Sequence, residues 1–335
     1  MVTIYQVAAE AKVSASIVSR ILNDRPVRVT EETRSRVLAV ASELRYVPNS
    51  VARSLRQRRS DTWTLLIPTL EDPVLAGIAH GVTETAQASG HQVAVTITGG
   101  STSRERASLD TAEMARPAGL IVVPGTPEPD LSQLSVPVVA VLRPARTAND
   151  QVIDDTFDTA RRATATLLEA GHRRIACLPG TRQDPLDVQR LTGYRQAFTD
   201  AGLDPPADLV RHCPSQPSAA RAATCRLLDG DPLDAILLAS TAHAIGAVEA
   251  LGSRGIDPAS GPALFACDSA PWTTIFAPFL SVAKRPGHRL GRTAAQFLLD
   301  RISDPTRPPR AAVLASTLDL RGPLATTWTG ARRGD

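Results

Sequence analysis

The sequence predicts an all-α helix-turn-helix unit followed by a larger α/β unit built on two doubly wound parallel sheets. Three observations carry this. The first sixty residues read as three short helices separated by cap and turn signals. Beyond them, short apolar runs alternate with helical stretches, several of which stop at a glycine. The length of 335 residues suits two or three units rather than one.

The bulk properties narrow the class. Apolar residues make up 43% of the chain and charged residues 21%, so a sizeable core can be buried. No apolar run approaches the roughly 20 residues needed to cross a bilayer. The start, "MVTIYQVAAEAK", lacks a charged segment followed by an apolar block, so no signal peptide is expected. Cys177, Cys213, Cys225 and Cys267 show no CxxC spacing and have mostly apolar neighbours. They read as buried free thiols of a cytoplasmic protein, not as a zinc site. Residues 1–60 hold 11 Lys and Arg against five Asp and Glu, whereas the rest hold 26 against 29. A basic head on a mildly acidic body points to a polyanion partner; a merely solvated basic surface would look the same.

The elements of the head follow in order. Thr3 can cap the first helix, with Gln6 as its capping-box partner, and Ile4, Val7, Ala8 and Ala11 share one face. After a break at "KVS", Ser14 can cap a second helix, "ASIVSRILN". Val18, Ile21 and Leu22 form its apolar face; Ala15, Ser16, Ser19, Arg20 and Asn23 occupy the other. A third helix opens at Thr30 in "TEETRSRVLAVASEL", with Val37, Leu38, Ala41 and Leu44 inward. Two short helices joined by a tight turn and braced by a third make a helix-turn-helix unit. The outward face of the second helix is short, polar and carries one arginine. That suits a helix in a DNA major groove, where Arg can bond guanine O6 and N7. A three-helix protein-interaction bundle would show the same pattern.

The wording of these segments, "VTIYQVAAEAKVSASIVSRILN" and "VTEETRSRVLAVASELRYVPNSVARSL", resembles the headpiece of the lactose-repressor (LacI/GalR) family from Val2 to about Leu55. The resemblance implies a DNA-binding head at 1–46, a hinge helix and linker at 47–60, a dimerising effector-binding core at 61–325 and a tail at 326–335. It implies near-palindromic operator DNA, a small sugar or nucleoside effector and a second copy of the chain as partners; no membrane, metal or cofactor is expected. It also implies base reading by Ala15 and Ser16, with Arg20 matching the family arginine. Ser19 falls on the phosphate side, and Asn23 steadies a backbone contact. Thr3, Tyr5, Ser14 and Tyr46 complete the implied contacts of the head. Two positions depart from the family. Lys12 stands in the turn where Gly is usual, and can reach a phosphate. Ile17 stands where Thr is usual, and either touches a thymine methyl or packs against the third helix. Because Ala15 and Ser16 are small, direct readout through them is expected to be weaker than from long side chains.

The stretch "NSVARSLRQRR" reads in the same frame. Asn49 can cap a helix with Val51, Ala52 and Leu55 on one face. So short a helix is marginal alone in water. It resembles the family hinge helix, in which paired copies order on the operator; Leu55 matches the minor-groove wedge and Ala52 the helix contact. Arg53, Arg56, Arg58 and Arg59 can follow the phosphates. A flexible basic linker is the alternative.

In the body, "TWTLLIP", "HQVAVTIT", "AGLIVVPG", "VPVVAVL", "RRIACLPG", "LDAILLAS" and "GPALFACD" read as strands between helices that stop at Gly90, Gly171 and Gly202. This order means βαβ units and parallel sheets covered on both faces. The pattern resembles the periplasmic-binding-protein-like core of the same family. That implies an N-lobe of about 61–156 plus 286–311 and a C-lobe of about 157–285 plus 312–325. Ligands of such sheets sit beyond the carboxyl ends of the strands. There, "RLTGY" implies Arg190 as a donor to ligand hydroxyls or a carboxylate, and "FACDS" implies Asp268 as an acceptor for sugar hydroxyls. Asp72 and Ser240 fall at matching strand ends, Ser240 in place of a family amide. Leu142 stands where an Asp is usual, and "DPVL" at 72–75 lacks the two family aromatics, so the pocket is expected to be less polar and less aromatic than the family's; an unusual sugar, a smaller or more apolar molecule, and a degenerate site all stay open. Trp272 can supply a stacking face, or it belongs to a lobe core or interface.

An enzyme is the rival class. The chain has no GxxxxGK[ST], GxSxG or HExxH motif, and its six histidines show no ligand spacing, so no catalytic residue is expected. A transport protein on the same core would not carry the basic head. A repressor released by a small inducer is the default reading; a corepressor-dependent version uses the same parts and stays open.

Overall fold

A computed structural model of the protein describes residues 2–22, 26–46, 61–125, 129–145, 150–322 and 324. The chain divides into units of 1–60 and 61–335. The expected hinge helix with Asn49, Ala52, Arg53, Leu55 and Arg56 lies outside the described residues, as do Asn23 and the tail at 326–335.

The small unit contains α1 (Ile4–Glu10), α2 (Ala15–Leu22) and α3 (Glu31–Glu43). Each starts at the cap residue the sequence supplies. Thr3 N donates to Gln6 Oε1 at 2.8 Å, Ile17 N to Ser14 Oγ at 3.3 Å, and Thr33 N to Thr30 Oγ1 at 3.3 Å. Val7, Ala8, Ala11, Val18, Ile21, Val37 and Ala41 close a small core. Leu38 corrects the expected pattern: it remains 47% exposed. The buried stripe of α3 is the narrow i, i+4 seam of Val37 and Ala41, and Leu38 sits about 100° around the helix from Val37.

The turn between α1 and α2 closes with Val13 N donating to Ala8 O at 3.0 Å, and Lys12 there has φ of 54°. That left-handed conformation is the one glycine tolerates and a side chain resists. Lys12→Gly is therefore expected to stabilise the head by about 1 kcal/mol. Slower hydrogen exchange of the α1 and α2 amides in the full chain would register it; unchanged exchange would show the strain is relieved elsewhere.

The large unit carries eleven strands among the described residues: β1 (Thr62–Ile67), β2 (Gln92–Ile97), β3 (Gly119–Val122), β4 (Val138–Leu142), β5 (Asp150–Asp154), β6 (Ile175–Leu178), β7 (Ala235–Leu238), β8 (Ala263–Ala266), β9 (Leu280–Lys284), β10 (Ala311–Leu314) and β11 (Thr317–Asp319). The first lobe is a parallel sheet of order β10–β5–β4–β3–β1–β2. The second has order β11–β9–β8–β7–β6, parallel except for the antiparallel edge β11. The helices are α4 (Pro73–Ala88), α5 (Thr102–Ala115), α6 (Thr156–Glu169), α7 (Pro185–Asp200), α8 (Pro217–Leu228), α9 (Thr241–Ser253), α10 (Pro271–Phe276) and α11 (Gly287–Ser303). All seven strands read from the sequence are present. The sequence reading missed β5, β9, β10 and β11.

The chain crosses between lobes after β5, after β9 and after β10. The last crossing, between Leu314 and Thr317, lies a few residues beyond the expected boundary at 311/312, because β10 pairs with β5 in the first sheet. Two successive aspartates tie the crossings together. Asp154 accepts from Arg285 and from Thr156 Oγ1 at 2.7 Å, and Asp155 accepts from Ser316 N at 2.9 Å and Arg162 at 2.8 Å. No helix of the described residues is long and apolar enough to cross a membrane.

Candidate functional site

On the head, α2 presents a polar surface. Ser16 and Arg20 are exposed, and Ala15 and Ser19 are half-buried. Ser14 is occupied in capping α2. Ile17 leans on the core of the head while keeping part of its surface exposed, so both roles read for it stay open. Tyr46 packs on the same core, whereas Tyr5 is 73% exposed beside the exposed Thr3. Arg36 of α3 donates from Nε to Ala11 O at 3.1 Å and so braces the turn that positions α2.

In the core, the carboxyl ends of strands from both lobes line one cavity of about 350 Å³. The first lobe contributes Asp72, the segment 123–125, Leu142 and Arg143; the second contributes Asp184, Asp187, Arg190, Ser240, His243 and Asp268. Asp72, Arg190, Ser240 and Asp268 therefore meet in one place. Trp272 is not among the lining residues; it packs against the core of the second lobe, which is the second of the two roles open to it.

Each lobe starts its cleft helix in the same way. Asp72-Pro73 opens α4 and Asp184-Pro185 opens α7, with proline in the first turn, where it loses no hydrogen bond. Asp72 Oδ1 accepts from Val74 N at 2.8 Å and Leu75 N at 3.3 Å; Asp184 Oδ1 accepts from Leu186 N at 2.9 Å. The two lobes are joined across the cleft by Arg143 Nη1, which lies 2.7 Å from Asp184 Oδ2. Arg143 follows a strained turn: Arg143 N donates to Val141 O at 2.8 Å around Leu142, whose φ is 72°. A left-handed leucine in so tight a turn costs free energy that the surrounding fold must hold.

Arg190 is buried and largely committed within its own lobe. Its Nη1 donates to Pro179 O at 2.8 Å and to Asp187 Oδ1 at 2.6 Å, while its Nε has no hydrogen-bond partner among the described residues. Ser240 caps α9 and bonds His243 Nδ1 at 2.8 Å and Ser215 Oγ at 2.8 Å. His243 Nε2 faces Cys213 O at 3.4 Å. A carbonyl only accepts, so Nε2 is the donor in that contact, and burial lowers the His243 pKa. Asp268 is 5% exposed and accepts one bond, from Ser269 N at 2.8 Å. Burial pushes its carboxyl up to about 6, against the opposing pull of Arg285 and with help from Asp72.

Sequence reasoning missed Arg143, Asp184, Asp187 and His243. Asp-Pro at a helix start was a readable signal for Asp184. The pairing of Arg143 across the lobes was not, because it depends on how two distant segments meet. No cluster of three or more His, Cys, Asp or Glu suited to a metal ion occurs among the described residues.

Comparison with known proteins agrees with this architecture. Residues 3–49 match the family model described as bacterial regulatory proteins, lacI family, and residues 164–322 match a periplasmic binding protein-like domain. The chain is 31% identical over 331 residues to the HTH-type transcriptional regulator CelR of Thermobifida fusca, covering 95% of this chain and 97% of that one. It is 28% identical over 327 residues to a ribose operon repressor of Haemophilus influenzae, covering 96% and 98%. It is 30% identical over 319 residues to the repressor PurR of Escherichia coli, covering 93% of each. Among solved structures, a CelR–cellobiose complex matches at TM-score 0.72 with 28% identity, covering 96% of this chain and 99% of that one. A lac repressor dimer bound to operator and an anti-inducer shares the fold at TM-score 0.86 and 24% identity, covering 96% and 99%. The basic helix-turn-helix head, the two parallel-sheet lobes around one cleft and these full-length matches together place the chain in the LacI family, as a DNA-binding transcriptional repressor.

Proposed function

We propose that this repressor acts as a homodimer on a near-palindromic operator, and that a small, polar, sugar-like molecule bound between the lobes controls its operator affinity. The observation that carries this reading is the interlobe cavity, into which both lobes bring acidic and basic side chains at the ends of their strands. The Arg143–Asp184 pair spans the cavity, so a ligand there gains different contacts as the lobes move. One relative is named for a ribose operon and one structural neighbour is a cellobiose complex, which supports a sugar-like ligand. No catalytic role is assigned.

For DNA reading, we assign the exposed face of α2, with Ser16 and Arg20 towards the bases and Ala15, Ile17 and Ser19 beside them. Thr3, Tyr5, Ser14 and Tyr46 support backbone contacts. Asn23, Asn49, Ala52, Arg53, Leu55 and Arg56 are assigned on the family resemblance alone. Selection of bound duplexes from a random library tests this. A two-fold symmetric site with a steep salt dependence is expected. Arg20→Ala should cost about 1–3 kcal/mol on the selected site and relax its sequence preference. Equal binding of all duplexes by the parent protein would overturn the operator reading.

A further inference from the structure

The charges in the cavity do not cancel. Arg143 pairs with Asp184 at 2.7 Å, Arg190 with Asp187 at 2.6 Å, and Arg285 with Asp154 at 2.5 Å. Each arginine thus already faces a carboxylate within ion-pair distance, and Arg285 also acts electrostatically on Asp268 and Asp72. Asp72 and Asp268 remain, one on each lobe, and both line the cavity. Neither has an ion pair of its own among the described residues. Asp72 uses Oδ1 to cap α4, and Asp268 uses Oδ1 for Ser269 N. That leaves the Oδ2 of each without a hydrogen-bond donor among the described residues. Asp268 is more than nine-tenths buried, and the two carboxylates repel each other electrostatically. A buried carboxylate without an ion pair of its own is costly, so the cleft favours added positive charge.

Building on the reading of the cavity as an effector site, we propose that the effector carries a protonated amine held between Asp72 and Asp268: an amino sugar rather than a neutral sugar or a sugar acid. An ammonium group offers three donors and one positive charge, which answers two acceptors on opposite lobes. A neutral hydroxyl supplies the hydrogen bonds but adds no positive charge beside the two carboxylates. A sugar acid adds a further negative charge to a cavity already in excess of it. Because Asp72 and Asp268 sit on different lobes, the same amine draws the lobes together, which links its binding to their relative orientation.

Calorimetric titration of the full chain at neutral pH with matched pairs tests this: glucosamine and glucose, galactosamine and galactose, mannosamine and mannose, each with the N-acetyl derivative of the amine. In the pair that fits, the amine is expected to bind about tenfold or more tightly than either uncharged form, the size of a charge-assisted hydrogen bond. Asp72→Asn and Asp268→Asn should each abolish that preference. Asparagine keeps the cap of α4 and the acceptor for Ser269 N, so both variants are expected to fold. Equal or tighter binding of the neutral sugar overturns the amine while leaving the sugar-effector reading intact. Failure of every sugar to saturate the protein overturns that reading, and the amine with it.

Discussion

Asp268→Asn is expected to yield a core more stable than the parent at neutral pH and about 10- to 100-fold less responsive to the proposed effector. The stability arises from burial. The folded carboxyl titrates at about 6 against an ordinary value of 3.8, and desolvation is the main cause. Below the ordinary value both folded and unfolded chains are protonated, and the carboxyl carries no penalty. As pH rises from 3.8 to about 6 the unfolded chain releases this proton while the folded chain retains it, so stability falls. Above that window the loss is constant, on the order of 3 kcal/mol for a shift of this size. Asparagine does not ionise, and it retains an oxygen for Ser269 N. Urea unfolding of the two proteins at a series of pH values should therefore give curves that coincide near pH 4 and diverge as pH rises to about 6. Asparagine less stable than aspartate at pH 8 would show that a cation of the protein, with Arg285 the nearest candidate, compensates Asp268 in full. A site that is destabilising when empty is the expected signature of one built for a ligand.

Much of this molecule was legible from residues alone, and the failures have a common physical origin. The head was readable because caps and i, i+4 periodicity are local: Thr3, Ser14 and Thr30 each start the helix they announce. The buried parallel strands were readable as apolar runs such as "AILL" in β7. The strand "DQVID" was not, because it begins and ends in aspartate. Asp150 is fully buried only because Arg301 and Arg310, more than a hundred residues away, reach it at 3.0 Å and 3.4 Å. The site shows the same limit. Asp268 and Asp72 could be placed at strand ends from the sequence, but the intralobe partners of Arg190 and the interlobe pairing of Arg143 depend on tertiary packing. The segment "RLTGY" illustrates both halves. Its arginine lines the cavity as expected, but its glycine and tyrosine turn out to be architectural: Tyr194 is buried and donates to Ile175 O at 2.7 Å.

Gly291→Val is expected to destabilise the core by about 3 kcal/mol or more, whereas Gly252→Ala should stabilise it by about 0.5–1 kcal/mol. Both glycines lie inside helices, so intrinsic propensity favours replacing either one. Their surroundings decide the sign. At Gly291 of α11, a Cβ would stand 2.2 Å from Ile78 O of α4, and at Gly81 of α4 it would stand 2.2 Å from His288 O of α11. The two helices cross backbone against backbone, each offering a glycine to the other. The same device recurs in the second lobe, where a Cβ on Gly193 of α7 would meet Phe157 O of α6 at 2.2 Å, and one on Gly246 of α9 would meet Pro217 O of α8 at 2.3 Å. A carbonyl cannot retreat as the end of a flexible side chain can, so a valine at 291 must push α11 away from α4 and open the core between them. At Gly252 of α9 nothing lies within 4 Å of the added atom. The substitution there reduces the freedom of the unfolded chain and meets no opposing contact. Denaturant unfolding of the two single variants measures both signs directly. A mild effect of Gly291→Val would mean that α11 can slide on α4, and the lobe would then be softer than its close backbone contacts imply.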